Sequence, residues 1–264
     1  MGEREESSSI AVVRALSILE AVAERSAGMT NSEISRRLSI PKSSASYILR
    51  TLEQRGYLQR ERGTGRYRLG LKVLALNRGV DAGIDIKQLA LPVLERLVER
   101  SNLTAHLAVL DRGEAVYIEK VDSPGFIKMD TWVGKRMEIH STGVGKVLVA
   151  GLSKAELEAI LKTRGLKKIT PKTITSAAAL FRELEKVRER GYAVDDEENS
   201  LGARCVAAPV MDATGRVIAA IGVSGTINQI GRNSIPKIAE MARDAARKIS
   251  KQFGHPASVR KGYW

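Results

Sequence analysis

The sequence predicts an α+β chain of two domains: a small helical one carrying a basic β-hairpin, and a larger one with helices around an antiparallel sheet. Three observations predict it. Three short amphipathic segments run into a hairpin within residues 1–70. Farther on, β-rich runs meet at Asp-Arg-Gly and Asp-Ala-Thr-Gly turns, so neighbouring strands are joined as hairpins and not through βαβ crossovers. At 264 residues the chain also has room for two domains of ordinary size, each with its own core.

The first segment, "SIAVVRALSILEAVAE", spaces Val12, Ala15, Leu16, Leu19 and Val22 at helical intervals, which predicts one apolar stripe. Gly28-Met29 ends it. Thr30 followed by Glu33 is a capping box that opens the short helix "NSEISRRL", with Ile34 and Leu38 facing inward. After a tight turn, "SIPKSSASYILRTLEQRG" begins a third helix with Pro41 at its first position; Ile48, Leu49 and Leu52 form its buried stripe and Gly56 stops it. "YLQRERGTGRYRLG" then sets a Gly-Thr-Gly turn between two short strands. Helix, turn, helix and hairpin wing make a winged helix-turn-helix over residues 1–70.

Charge separates this reading from an ordinary three-helix bundle. The chain carries a net charge of +13, and residues 36–68 hold nine basic side chains and two acidic ones, a local excess of seven. A basic surface on this motif fits double-stranded DNA. The third helix is then the recognition helix. Its solvent-facing Lys42, Ser43, Ser44, Ser46 and Tyr47 are placed to reach base edges in a major groove, with Arg50 one turn on for a phosphate or a guanine. Arg62, Arg66 and Arg68 of the wing are placed for phosphates or the adjacent minor groove, contacts that position without specifying.

The apolar-periodic "LGLKVLALNRGV" leaves the wing, and residues 71–84 read as a connector helix. The domain over residues 85–264 opens with a helix at Asp85, whose acidic start suits a helix N-terminus. Two hairpins follow, "TAHLAVLDRGEAVYIEKVDS" and "CVAAPVMDATGRVIAAIGVSG". Between them lie a Gly-rich segment, a helix capped by Ser153 with Glu156, and "SAAALFRELEKVRERG", ended by Gly191.

The Gly-rich segment, "EIHSTGVGKVLVAGLS", ends like a phosphate-binding loop. That motif requires Gly five positions before the Gly-Lys pair and Ser or Thr after the Lys, where this chain has His140 and Val147. Nucleotide hydrolysis is therefore not predicted. What remains is a helix start that Ser141 or Thr142 can cap, with amides free to face an anion; a plain turn into a core helix fits the same residues.

Other classes are excluded on composition. One cysteine, Cys205, forms no internal disulfide and fits a reducing compartment. The acidic start "MGEREESSSI" lacks the apolar stretch of a signal peptide, and no run of eighteen or more apolar residues is present, so the expectation is a cytoplasmic, nucleoid-associated protein away from membranes. Cys205 with His106 or His140 is the nearest approach to a nucleophile and base, but no third orienting residue is evident, and histidines in such apolar surroundings read as structural. Three scattered His and one Cys also lack zinc-ligand spacing. A ligand-independent DNA-organising protein accounts for the charge but not for a second, pocket-forming domain.

Several stretches together carry a resemblance. "RALSILEAVAE", "EISRRLSIPKSSASYILRTLEQRGYLQRE", "GRYRLGLKVLAL", "LPVLERLVERSNLTAHLAVLDRGEAVYIEKVDSP", "VGKRMEIHSTGVGKVLVAG", "TPKTIT" and "RERGYAVDDEENSLGARCVAAPVMDATGRVIAAIGVSG" are similar to IclR-family bacterial transcription regulators, from about Ser9 to Arg247. The resemblance implies a GAF-like effector-binding domain over residues 85–264, no cofactor, a palindromic operator, and a homodimer or dimer of dimers. It implies a small effector, a carboxylate or aromatic acid, held by the amides of Gly143 and Val144, by the acidic Asp195, by Cys205, and at the strand positions Gly222 and Ser224. Gly222 departs from the pattern, since some relatives have Ser there; the resemblance then implies a lost hydroxyl contact or a pocket for a larger or more apolar ligand. Taken without the resemblance, Asp195 also fits a surface turn and Cys205 a small core residue.

Overall fold

The computed structural model describes residues 9–81, 85–126 and 128–255, and the chain divides into two compact units between Ile84 and Asp85. Unit 1 contains α1 (Ile10–Ala23), α2 (Asn31–Leu38), α3 (Lys42–Gln54), β1 (Leu58–Arg60), β2 (Tyr67–Leu69) and α4 (Lys72–Asp81). Residues 82–84, the end of the expected connector, lie outside the described residues, as do residues 1–8 of the expected N-terminal reading.

The α2 start follows its sequence closely. Thr30 accepts from Glu33 N–H at 3.3 Å, and the Glu33 carboxylate accepts from Thr30 N–H at 2.7 Å, so each satisfies a donor the helix leaves open. Ser39 closes α2 in the left-handed region, and Ile40 N–H returns to Ser35 O at 3.1 Å, which sets the tight turn into α3. Pro41 sits at the N-cap, one position earlier than the sequence predicts, and Lys42 is the first helical residue; its extended ψ of 134° suits a cap better than a first turn. The wing pairs Leu58 with Leu69 and Arg60 with Tyr67, and Met29 adds a bridge to Tyr67. Ile18, Val22, Met29, Ile34, Leu49, Leu58 and Tyr67 share one core.

The α1 stripe is a correction. Ala15, Leu19 and Val22 face inward, with Ile18 and Ala21, but Val12 and Leu16 are 56% and 54% exposed. The segment is apolar nearly all round, so periodicity does not choose a face. Packing against α3 and β2 does.

Unit 2 is built on a six-stranded antiparallel sheet in the order β5-β4-β3-β8-β7-β6. Its strands are β3 (Thr104–Asp111), β4 (Glu114–Val121), β5 (Arg136–Met137), β6 (Ala193–Asp196), β7 (Ala203–Met211) and β8 (Val217–Thr226). The helix α5 (Asp85–Ser101) begins at the predicted residue and packs on β3 and β4; α9 (Ile235–Gln252), which the sequence reading did not anticipate, packs on β7 and β8. Proline just inside the α9 start and the apolar Ile238, Ala242, Ala245 and Ile249 were the signals for it.

Against the sheet lies α6 (Gly143–Ala150), every residue of which is buried. Val144, Val147 and Leu148 join Ala108, Ala207 and Ala220 of the sheet and Leu180, Leu184 and Val187 of α8 (Ala177–Arg190) in one core, with Leu157 of α7 (Lys154–Arg164). Small sheet side chains let a helix this short settle close to the strands. Among the described residues no helix is long and apolar enough to cross a membrane.

Candidate functional site

In unit 1 the helical repeat sorts α3 into two faces. Ala45, Leu49 and Leu52 are buried, while Lys42, Ser43, Tyr47 and Arg50 are exposed and Ser44 and Ser46 half-buried. Ser43, Ser46, Tyr47 and Arg50 follow at three- and four-residue steps, so they share one stripe. Tyr47 is 74% exposed. A ring of that size left in water along a row of hydroxyls and cations is suited to contacting a ligand surface.

The wing arginines separate. Arg62 is exposed at the turn. Arg68 keeps a long 3.6 Å contact with Glu61. Arg66 is committed within the unit: Nη1 donates to Gly28 O at 2.9 Å and to Glu33 Oε2 at 3.1 Å, and Nη2 donates to Glu33 Oε1 at 3.3 Å. The carboxylate that completes the α2 capping box therefore also anchors the wing. Hydrogen bonds from Thr30 and the Arg66 guanidinium hold the Glu33 carboxyl below its ordinary range.

In unit 2, strand register assembles the second set. Asp195 lies opposite Cys205, Cys205 opposite Ser224, and Ser224 opposite Thr104. Directly opposed residues on antiparallel strands share a face, so these four form one polar row across the sheet. The adjacent row on that face is Ala193, Ala207, Gly222 and His106.

The α6 N-terminus comes down on these rows. A Cβ on Gly143 would sit 3.2 Å from Cys205 Sγ and 3.4 Å from Ala207 Cβ. Thr142 caps the helix by accepting from Gly145 N–H, and its carbonyl takes Lys146 N–H. The amides of Gly143 and Val144 have no acceptor inside the helix, as first-turn amides must; the Gly143 amide instead hydrogen-bonds the Cys205 sulfur, which the Ser224 hydroxyl also contacts. The site is thus a helix N-terminus facing a polar sheet row.

At Gly222 the expectation of a larger pocket is corrected. A Cβ there would meet Val144 Cγ1 at 2.8 Å. Val144 fills the space that the missing side chain leaves, so the glycine does not enlarge the site.

Electrostatics follow from burial. Asp195 is 6% exposed, and its Oδ1 accepts from Glu198 N–H at 2.8 Å and Asn199 N–H at 3.3 Å. It is neither a surface residue nor idle, since it caps the turn after β6. Burial pushes its carboxyl up to about 7, against the pull of those amides and of Lys146. Burial likewise pushes the Cys205 thiol up to about 12, which disfavours the thiolate a nucleophile requires.

Lys146 of α6 is 0% exposed, and its Nζ donates to Val194 O at 2.6 Å and to Glu198 Oε1 at 2.5 Å. This buried pair ties α6 to the turn after β6 and lies within electrostatic reach of both Asp195 and Cys205.

The sequence reading also left out Thr104, Tyr117, Asn199 and Thr131. Thr104 and His106 alternate with Ala105 and Leu107 along β3, and polar residues at every second position of a buried strand were the available signal. His106 and His140 do not pair with Cys205: His106 Nε2 is 2.8 Å from Thr131 Oγ1, and His140 Nε2 is 3.0 Å from Lys167 O. Among the described residues no cluster of three or more His, Cys, Asp or Glu side chains is placed to hold a metal ion.

Comparison with known proteins places both units. Residues 11–62 match the family model of the IclR helix-turn-helix domain, and residues 80–251 match that of the bacterial transcriptional regulator IclR C-terminal region. The transcriptional regulator XynR of Escherichia coli is 37% identical over 246 residues, covering 93% of this chain and 98% of that protein. The IclR structure of Thermotoga maritima superposes with a TM-score of 0.77 at 33% identity, covering 92% of this chain and 98% of that one. An IclR homologue of Microbacterium hydrocarbonoxydans, crystallised with 4-hydroxybenzoate, superposes at 0.79 with 26% identity, covering 92% and 98%.

Proposed function

The chain belongs to the IclR family of bacterial transcriptional regulators, and on that premise we propose how its two units divide the work of a ligand-responsive, DNA-binding regulator. Residues 1–70 read DNA and residues 71–84 connect. Residues 85–264 bind the effector. The α3 stripe of Lys42, Ser43, Ser44, Ser46, Tyr47 and Arg50 enters the major groove, while Arg62 and Arg68 meet phosphates beside it. Arg66 contributes chiefly by fixing the wing. The partner is a palindromic operator bound by a homodimer or a dimer of dimers, at the nucleoid in the cytoplasm.

The effector is a small carboxylate or aromatic acid. One observation carries this: two first-turn amides of a fully buried helix stand over the row Asp195–Cys205–Ser224. The carboxylate takes the amides of Gly143 and Val144, where the helix end favours negative charge. Ser224 donates its hydroxyl. Asp195, protonated over part of the population near neutrality, donates to the anion where an ionised carboxylate would repel it. Gly222 supplies closeness of approach, and Cys205 holds the Gly143 amide and the Ser224 hydroxyl by hydrogen bonds that the carboxylate replaces. The 4-hydroxybenzoate bound by the Microbacterium relative is a ligand of this class.

No catalytic step is assigned. The Cys205 thiol is held protonated, and His106 and His140 hydrogen-bond Thr131 and the Lys167 carbonyl, with Glu138 3.9 Å from His140 Nδ1. The effector acts through a difference in affinity between DNA-competent and DNA-incompetent arrangements. A thermal-shift screen of small carboxylates and aromatic acids tests the reading, since a ligand that binds only the folded state raises its stability. An acid that shifts the wild-type chain but not Ser224→Ala is the expected hit; identical shifts in both chains speak against the site.

A further inference from the structure

His106 has a feature that neither a core role nor catalysis explains. The ring is 1% exposed and Nδ1 has no hydrogen-bond partner among the described residues. Leaving a buried polar atom unsatisfied is costly, which makes such an atom a candidate for ligand contact. The other nitrogen, Nε2, is tied to Thr131 Oγ1 at 2.8 Å, and the Thr131 hydroxyl is directed at Met129 O at 3.5 Å. We assign that hydroxyl as donating onward, which puts the proton on Nε2 and leaves Nδ1 with a lone pair.

Position connects this lone pair to the effector site. His106 is opposite Gly222, which is opposite Ala207, the residue beneath Gly143. Two strand spacings, about 10 Å, therefore separate His106 from the α6 N-terminus on the same face. Val144 lies over Gly222 between them and offers an apolar surface along the way. His106 also stacks on Tyr117, with ring centroids 4.4 Å apart and planes at 27°. Burial pushes the pKa of the Tyr117 phenol up, so the ring against His106 is neutral.

We propose that His106 selects a hydroxylated effector: its Nδ1 accepts a hydrogen bond from a hydroxyl group carried by the acid whose carboxylate sits at the α6 N-terminus. A molecule spanning the two needs its hydroxyl at the far end of a short carbon frame, such as one aromatic ring or a chain of roughly four to six carbons, with a hydrogen bond at each end. The ring stays neutral, because burial, helped by Lys120, pushes the imidazole down to about 3. It thus suits a neutral hydroxyl and not a second carboxylate. The inference rests on the effector-site reading above.

The test compares two acid pairs that differ by one hydroxyl, 4-hydroxybenzoate with benzoate and 4-hydroxybutyrate with butyrate, by calorimetric titration into the full chain. At least one hydroxylated acid should bind wild type about tenfold or more tightly than its parent, as a site built around one hydrogen bond requires. His106→Phe and His106→Asn should bring that ratio near one. General damage to the fold weakens both members of a pair and leaves the ratio standing, so a preserved ratio overturns the proposal. Failure of both hydroxylated acids to bind wild type overturns it as well. Where both variants lose all binding, the 15N resonance of His106 Nδ1 in wild type decides: it should move with the hydroxylated acid and not with its parent. Ser224→Ala should weaken both members of the pair; if it changes neither while the ratio still depends on His106, the effector-site reading fails and the assignment of the hydroxyl contact survives.

Discussion

Arg66 of the wing grips Glu33 of the α2 capping box with two nitrogens, Nη1 to Oε2 at 3.1 Å and Nη2 to Oε1 at 3.3 Å, while Nη1 also holds the Gly28 carbonyl. One carboxylate therefore serves a helix start and a hairpin at once. Arg66→Ala should lower the stability of the DNA-binding unit by about 0.5–1 kcal/mol, modest because both side chains are about one-third exposed. Arg50→Ala and Arg62→Ala should leave the melting temperature in place, weaken DNA binding and flatten its salt dependence by about one unit per lost phosphate contact. Thermal melts beside fluorescence anisotropy at several salt concentrations separate the two effects. An Arg66→Ala chain with an unchanged melt would show the contact to be idle.

The Lys146–Glu198 pair predicts a larger effect. Lys146→Met leaves a buried carboxylate without its cation and should cost about 3–5 kcal/mol. The double change Lys146→Met with Glu198→Gln should recover much of that loss. Urea denaturation of the four chains gives the coupling directly; simple additivity would contradict the pairing.

Asp195 predicts a pH dependence. Burial raises its folded-state pKa from 3.8 to about 7, so the folded chain holds this proton more tightly than the unfolded one. The resulting stabilisation is complete below about pH 4 and is lost as pH rises through about 7. Asp195→Asn keeps an oxygen to accept from Glu198 and Asn199 and cannot titrate. It should flatten the stability profile in that window and stabilise the chain above pH 7, on the order of 1–3 kcal/mol. Profiles with the same slope in both chains would remove Asp195 as the titrating group.

Gly222 predicts a coupling across helix and sheet. A Cβ at this position lies 2.8 Å from Val144 Cγ1, so Gly222→Ser should destabilise by about 1–3 kcal/mol. Val144→Ala in the same chain should relieve most of it. A double-mutant cycle without coupling would show that the helix gives way instead.

Much of the fold was legible because local chemistry agreed with tertiary structure. The Thr30–Glu33 and Ser153–Glu156 boxes start α2 and α7 as written, and Arg112-Gly113 turns β3 into β4 with both residues at positive φ. The α1 face was not legible, because a helix apolar nearly all round carries no preferred side. Of the site, Gly143 and Asp195 were named through the family resemblance of the stretches that hold them. The surroundings of Lys146 and His106 were not legible, because a side chain's direction is set by the sheet register and the helix docking, which residues far apart in sequence decide together. Lys146 finds Glu198, 52 residues away, and His106 finds Thr131, 25 residues away.

The central claim is that a small acid bound in unit 2 controls DNA binding by unit 1. Anisotropy titration of the full chain against a labelled palindromic duplex that it binds, taken from upstream of its own or a neighbouring operon, with and without an acid already shown to raise the melting temperature, measures that coupling. The acid should change the DNA affinity by about 5–150-fold, and the change should vanish in Ser224→Ala. An acid that binds wild type tightly and leaves its DNA affinity unchanged would contradict the account.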